Sequence, residues 1–385
     1  MAEDQALEPN FDERDGFPPA GNKMATRGRY VQHVSPGLLQ RIYRPGIVLA
    51  ITEHIPPEPF RPDFYDLSWY RKAAPEAEVM ASGQLGWCLK YPQVETQPKE
   101  GAQQHSLKIL QLISGGYNRR SQVFKCQLDG DEEKVYMAKA YDPAFSAEYP
   151  LDVTWAADAS YSTEAAAYED IKRFGYDGTF SPKYYGSWTF NLPFLKLPWL
   201  KGRDQSANTR PVRMILMEYI EGLDFEEIFR VKVELLLSPQ ERLYVLNDVL
   251  KATAFLQFAG VSHRDPFPRN VILRGSSSAA TDATSDRTAG KVVIIDFEHA
   301  VATRRPNCLY AAPREDKPIN PIYRHWRHSP TEWFCLVPEP FFSNYAEWQK
   351  WMKDSWLNNR SFSKPLGMEI APWDRDISNW FPQFA

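Results

Sequence analysis

Asp265 and Asn270 are separated by four residues in the run His263-Arg264-Asp265-Pro266-Phe267-Pro268-Arg269-Asn270, and Asp296 follows the short apolar run Val292 to Ile295. A carboxylate beside an acceptor hydroxyl can orient it and take its proton, which is general-base chemistry. A carboxamide oxygen and a second carboxylate are the hard donors that a magnesium ion takes. A strand ending in Asp296-Phe297-Glu298 would deliver that carboxylate to the mouth of a cleft.

Two further positions fit the same chemistry. Val135 to Lys139 reads as a strand that ends in an ammonium group, and Glu164 opens the run Glu-Ala-Ala-Ala on a helical stretch. Small alanines allow close packing around the Glu164 carboxylate. Glu169 is also in range but falls on another face of the same helix. Met214 to Gly222 reads as an apolar strand running into a helix.

The first run resembles the catalytic loop of the protein kinase-like superfamily, H-R-D-x-x-x-x-N. That resemblance implies phosphoryl transfer, with Asp265 orienting and deprotonating the acceptor hydroxyl and Asn270 and Asp296 holding magnesium. It implies that Lys139 neutralises the nucleotide phosphates and that Glu164 holds Lys139 in position. Met217 would stand behind the adenine, whose edge would bond the backbone of Glu218 and Ile220. Of the phosphate-covering pattern G-x-G-x-x-G-x-V, aligned on Val123, the chain keeps Gly116 and has Asn118 and Ser121 at the later positions. ATP and magnesium are the implied cofactors, and the phosphate acceptor is left open among a protein hydroxyl, a small alcohol and an aminoglycoside-like compound.

The resemblance runs from about residue 106 to residue 310. Glu298 stands where typical protein kinases have glycine, and choline-kinase-like enzymes resemble the chain more closely there. The Trp- and Pro-rich remainder is unlike the helical end of a protein kinase and more like aminoglycoside and choline phosphotransferases and the divergent kinase-like proteins of fungi. An alternative is a pseudokinase acting as a nucleotide-binding or scaffold module.

The elements that must position these residues follow from periodicity. Leu107–Ile113, Val123–Leu128 and Lys134–Tyr141 read as an antiparallel meander, with Asp129-Gly130-Asp131 as a turn. Ser162 or Thr163 is the expected cap of a helix carrying Glu164. Tyr184–Phe190 and Val212–Tyr219 read as two more strands. Leu223–Lys232 and Pro239–Phe258 are helical, with Leu243, Leu246, Leu250, Ala254 and Phe258 at helical spacing. The expected fold is α+β and bilobal: a small antiparallel β-rich N-lobe over residues 106–220 and a larger, shortened helical C-lobe over 221–385. Residues 1–28 are expected to be disordered, 29–105 to form an irregular extension, and 275–290 to be a flexible insertion.

Composition narrows the remaining classes. A formal net charge of −4 argues against a general nucleic-acid binder. The longest apolar runs are far too short to span a bilayer, and the acidic N-terminus lacks the apolar core of a signal peptide. The four cysteines have neither metal-ligand nor redox spacing. The chain is therefore expected to be intracellular, cytoplasmic or nuclear, with free thiols and no membrane partner. Seven of the 12 tryptophans follow residue 320, as an aromatic tail would that packs on a core. His325-x-x-His328 lacks further ligands at metal spacing, and no dinucleotide fingerprint or nucleophile elbow is present.

Overall fold

The computed structural model describes residues 42–68, 70–116, 119–193, 209–230, 237–275, 292–311, 315–327 and 329–364. The expected disorder of residues 1–28 and nearly all of the expected insertion lie outside these residues.

Strands β1 (Val48–His54), β2 (Gln104–Ser114), β3 (Gln122–Leu128), β4 (Tyr136–Tyr141), β5 (Tyr184–Pro193) and β6 (Thr209–Glu218) form a closed antiparallel barrel. Its order is β1-β2-β3-β4-β6-β5. The meander expected over β2, β3 and β4 is present, and so are the two later strands. The sixth strand is the difference. β1 comes from the segment expected to be an irregular extension, and it pairs with β2 (Ile51 opposite His105) and with β5 (Ile51 opposite Phe190). Closing the sheet removes both exposed edges, which an open five-stranded sheet would have to protect by other means.

The same segment carries helices α1 (Glu76–Ser82) and α2 (Gln84–Lys90). Buried carboxylates tie it to helix α3 (Val153–Arg173). Asp152 caps α3 through the Trp155 N–H at 3.1 Å and accepts from Trp87 Nε1 at 2.9 Å and from the Arg71 guanidinium. One turn and a half later, Asp158 accepts from the Tyr70 hydroxyl at 2.7 Å and the Val94 N–H at 2.9 Å. Helix α3 therefore begins ten residues before the cap expected at Ser162 or Thr163, both of which are buried inside it. The polar, β-branched run from Asp152 to Ser162 hides the helical signal. Those polar groups are bonding partners for the extension rather than a solvent face.

Strand alternation sorts the barrel residues into two environments. Ala138, Ala140, Met214 and Leu216 point inward and pack with Leu107, Ile109 and Phe124. Tyr141, Ile215 and Met217 belong to the other apolar cluster, which holds α3 and helix α5 (Pro239–Phe258). Lys139 shares the parity of Tyr141, so it leaves the barrel on the side of α3.

Beyond the barrel, strand β7 (Gly222–Asp224) leads into the short helix α4 (Phe225–Arg230). Helix α5 starts at a complete capping box, with Ser238 accepting the Glu241 N–H and the Glu241 carboxylate accepting the Ser238 N–H. Strand β8 (Val261–Ser262) follows α5 and pairs with β11 (Val301–Ala302). Strand β9 (Val271–Arg274) lies between β7 and β10 (Val292–Ile294). Helix α6 (Tyr345–Trp356) closes the described chain, and Trp348, Trp356, Trp333 and Trp326 are buried against the α5 cluster. Trp373 and Trp380 lie outside the described residues. All four cysteines are free thiols. Among the described residues no helix is long and apolar enough to cross a membrane.

Candidate active site

Lys139 is the centre of the site. It sits in the middle of β4, with Val123 of β3 on one side and Ile215 of β6 on the other. Its ammonium meets Glu164 Oε2 at 2.6 Å, Asp296 Oδ1 at 2.6 Å and Glu298 Oε2 at 3.4 Å. Glu164 projects from the middle of α3 and is fully buried. Its Oε2 also accepts from the Tyr141 hydroxyl, and its Oε1 lies 3.3 Å from the Phe297 N–H. Glu169 takes no part: it pairs with Arg305 at 2.8 Å on a different face of α3.

Three carboxylates face one ammonium, and this sets the electrostatics. Burial alone would lower the Lys139 pKa, but Asp296, Glu164 and Glu298 together hold it well above the ordinary lysine value, so Lys139 is charged. Burial, with the Asp296 and Glu298 charges, pushes the Glu164 carboxyl up to about 7 against the pull of Lys139. Burial would also raise Glu298, yet Lys139, His299 and Arg120 draw it far below the usual carboxylate range. One oxygen each from Glu164, Asp296 and Glu298 lies within 4.8 Å of the others. Oxygen donors in excess of cationic charge fit a small divalent cation.

Asp265 and Asn270 are placed beside this cluster through β9 and β10. The Ile295 N–H donates to the Asn270 carbonyl at 2.9 Å, and His263 Nε2 bonds the Ile295 carbonyl at 2.8 Å. His263 is buried and its ring packs 4.9 Å from Phe297. Burial lowers its pKa, so it acts as a neutral brace between the two loops. Asn270 Nδ2 donates to the Asp265 carbonyl at 2.9 Å and to Asp265 Oδ2 at 2.8 Å. The amide nitrogen is thereby committed, and the carboxamide oxygen is the atom a cation would take. Arg269 Nη2 bonds both oxygens of Asp265 at 2.9 Å.

Two backbone positions here are unusual. Arg264 has φ +63° and Asp296 has φ +64°. Side-chain-bearing residues seldom adopt the left-handed region, and its cost is of order 1–3 kcal/mol at each such position. Both belong to the two loops that carry the chemistry.

The remaining sequence-derived positions are further out. Gly116, at φ +118°, is in the β2–β3 turn, where buried Gln122 accepts its N–H at 2.9 Å and donates to its carbonyl at 3.3 Å. Asn118 lies outside the described residues. Met217 is buried on β6 opposite Met137, and Tyr168 donates to its sulfur at 3.4 Å. The Glu218 N–H donates to the Lys183 carbonyl at 2.9 Å, and the Glu218 side chain pairs with Arg274 at 2.7 Å. Ile220 is buried in the connection to β7. The structure thus brings Lys139, Glu164, Asp296, Asn270 and Asp265 into one connected cluster, with Gly116, Met217, Glu218 and Ile220 at the edges of the strands that lead to it.

Around this cluster, sequence reasoning passed over Arg61 and Arg269, and it left Arg120 between a charge for the phosphates and a solvated surface residue. Arg120 bonds Glu148 at 2.5 Å, Glu298 at 3.5 Å and His299 at 3.2 Å. Arg61 donates to the Glu298 carbonyl at 3.3 Å. Arg269 could have been found, since its spacing from Asp265 within a tight loop is the signal. Arg61 has no such signal.

No protein-family model matches the chain, and no curated protein does. Among solved structures, a cysteine-to-alanine mutant of the PknI kinase domain of Mycobacterium tuberculosis is similar at 17% identity and a TM-score of 0.31, covering 50% of this chain and 59% of that domain. The kinase domain of PF14_0431 is similar at 17% identity and a TM-score of 0.33, covering 50% of this chain and 51% of that one. The chain thus matches little more than half the length of either domain. A likeness this distant leaves the chemistry to be read from the side chains themselves.

Proposed function

We propose that the chain is an ATP- and magnesium-dependent phosphotransferase of kinase-like fold. The observation that carries this reading is the meeting of Lys139, Glu164 and Asp296 within 2.6 Å contacts, next to the Asp265–Asn270 pair. Magnesium would be held by Asp296 and the Asn270 carboxamide oxygen, and it would supply charge neutralisation at the transferred group. Lys139, fixed by Glu164, would take the nucleotide phosphates, with Gly116 in the turn above them. Met217 and the backbone of Glu218 and Ile220 would border the adenine. Asp265 would orient the acceptor hydroxyl and accept its proton, while Arg269 and Asn270 hold the carboxylate in place.

Phosphate transfer from ATP tests this directly. Asp265→Asn keeps the shape and the bond to Asn270 but cannot take a proton. Turnover should fall by about 10²- to 10⁴-fold, the usual contribution of a general base, with magnesium-ATP binding kept. Turnover at the wild-type rate in that variant removes Asp265 from the mechanism.

One observation favours a second reading, a pseudokinase. The Glu298 carboxylate spans Lys139 and Arg120 and so sits among the cations that nucleotide phosphates would use. On that reading nucleotide binding survives and no acceptor is phosphorylated by any variant.

A further inference from the structure

We infer that the phosphate acceptor is a small hydroxyl compound that itself carries an anionic group, a carboxylate or a phosphate. This rests on the phosphotransferase reading above and concerns the other side of Asp265. A cavity of about 550 Å³ opens there, lined by Arg61, Phe64, Arg264, Asp265, Arg269 and His299 together with Pro62 and Asp63. It is the place from which a hydroxyl would reach the Asp265 carboxylate.

The charges of that cavity do not cancel. Arg269 is neutralised by Asp265, which it bonds through both oxygens. Among the described residues, Arg264 is within ion-pair distance of no carboxylate, and its guanidinium lies 4.6 Å over the Phe64 ring. Arg61 is half-buried, and among the described residues its guanidinium bonds only a carbonyl, that of Glu298. Burial and the nearby Arg120 lower its pKa against the opposing pull of the Glu298 and Glu148 charges. With Asp265 paired to Arg269, Asp63 is the carboxylate left in the cavity lining, and the Glu298 and Glu148 charges also act on Arg61. An arginine fork matches the geometry of a carboxylate or phosphate, and a ligand bearing one would complete the pocket.

The wall that presents Arg61 and Phe64 is built, not loose. The Leu309 N–H donates to the Phe64 carbonyl at 2.9 Å, and the Asp66 N–H donates to the Asn307 carbonyl at 2.8 Å. The Tyr65 hydroxyl accepts the Ala302 N–H at 2.7 Å, and Asn307 donates to the Pro59 carbonyl at 2.7 Å. The segment after β1 is thus clamped onto the segment after Asp296, and the barrel-closing extension supplies half of the acceptor pocket. In the transfer, the acceptor oxygen forms a bond to the γ-phosphorus and the bond to the β–γ bridging oxygen breaks. ADP departs, and the hydroxyl proton passes to Asp265.

Four probes of similar size separate the possibilities: glycerol 3-phosphate, glycerate, glycerol and choline. Each is titrated calorimetrically against the full chain, and each is offered as acceptor with labelled magnesium-ATP. Glycerol 3-phosphate or glycerate should bind at least tenfold more tightly than glycerol or choline and should be the probe that gains label. Arg61→Ala and Arg264→Ala should each weaken that binding tenfold or more, with the magnesium-ATP Kd within twofold of wild type. Arg264 is exposed, so Arg264→Gln is a second variant that folding cannot confound. Preference for glycerol or choline, or anion binding indifferent to both arginines, overturns the inference. Arginine-dependent anion binding with no binding of magnesium-ATP overturns the phosphotransferase reading instead, and with it the acceptor role of the pocket.

Discussion

Lys139 shows how a single residue fixes the character of the site. Its ammonium is almost wholly removed from solvent and is the only cation that touches both Glu164 and Asp296 among the described residues. Removing one partner of a buried ion pair leaves the other uncompensated and costs about 3 kcal/mol. Lys139→Met should therefore lower stability by about that amount in urea unfolding. Glu164→Gln in the Lys139→Met background should recover part of it, because the stranded carboxylate is then gone. Equal and additive losses from the two substitutions would mean that the pair is not coupled. At this scale the sequence was informative where residue type and spacing coincide: the Asp265 loop, Asp296 and the choice of Glu164 over Glu169 were all open to reading. Glu298 was visible only as a departure from glycine, and its contact with Lys139 depends on how β10 turns. Arg120 was legible only as a charge beside the Gly116 turn or a solvated residue, whereas Arg61 reaches the site from a distant segment and nothing in its neighbours marks it.

At the scale of elements, β1 is the lesson. Its pairing partners β2 and β5 are remote in sequence, and the prolines that follow it mask the alternation of a strand. The β2, β3, β4, β5 and β6 patterns and the helical spacing of α5 are local signals, and those were legible. The start of α3 was not, since Asp152, Asp158 and Ser162 look like surface residues until their partners arrive from the extension. His54, the last residue of β1, reports on this closure. It is buried and joined to the Tyr161 hydroxyl of α3 and to Thr189 Oγ1 of β5 at 2.9 Å. Burial, with the Arg213 charge, lowers its pKa from 6.5 to about 3. Between these two values the unfolded chain binds the extra proton, so stability rises with pH and is lost as pH falls from about 6.5 toward 3. By pH 5 the loss from this group is about 2 kcal/mol relative to pH 7. His54→Asn should flatten the difference between urea titrations at pH 7 and pH 5 by about that amount. An unchanged difference would mean that β1 is not part of the cooperative unit.

The whole molecule joins two apolar clusters, one inside the barrel and one around α3 and α5, and the site lies where strand β4, helix α3 and the β8–β10 loops meet. Trp326, Trp333, Trp348, Trp351 and Trp356 serve the second cluster, which accounts for five of the seven tryptophans after residue 320. The extension contributes Leu49, Ile51, Val79 and Trp87 to the barrel cluster and one wall of the proposed acceptor pocket, so the function proposed here is a property of the assembled chain rather than of residues 106–310 alone. The central claim is that the Lys139–Asp296–Asn270 cluster holds magnesium-ATP. Calorimetric titration of the full chain with ATP, with and without magnesium, measures it most directly. The account predicts magnesium-dependent binding that Asp296→Asn weakens at least tenfold, and a stabilisation of about 2.7 kcal/mol at a hundred times the Kd. No binding at millimolar magnesium-ATP, or binding indifferent to Asp296, would contradict it.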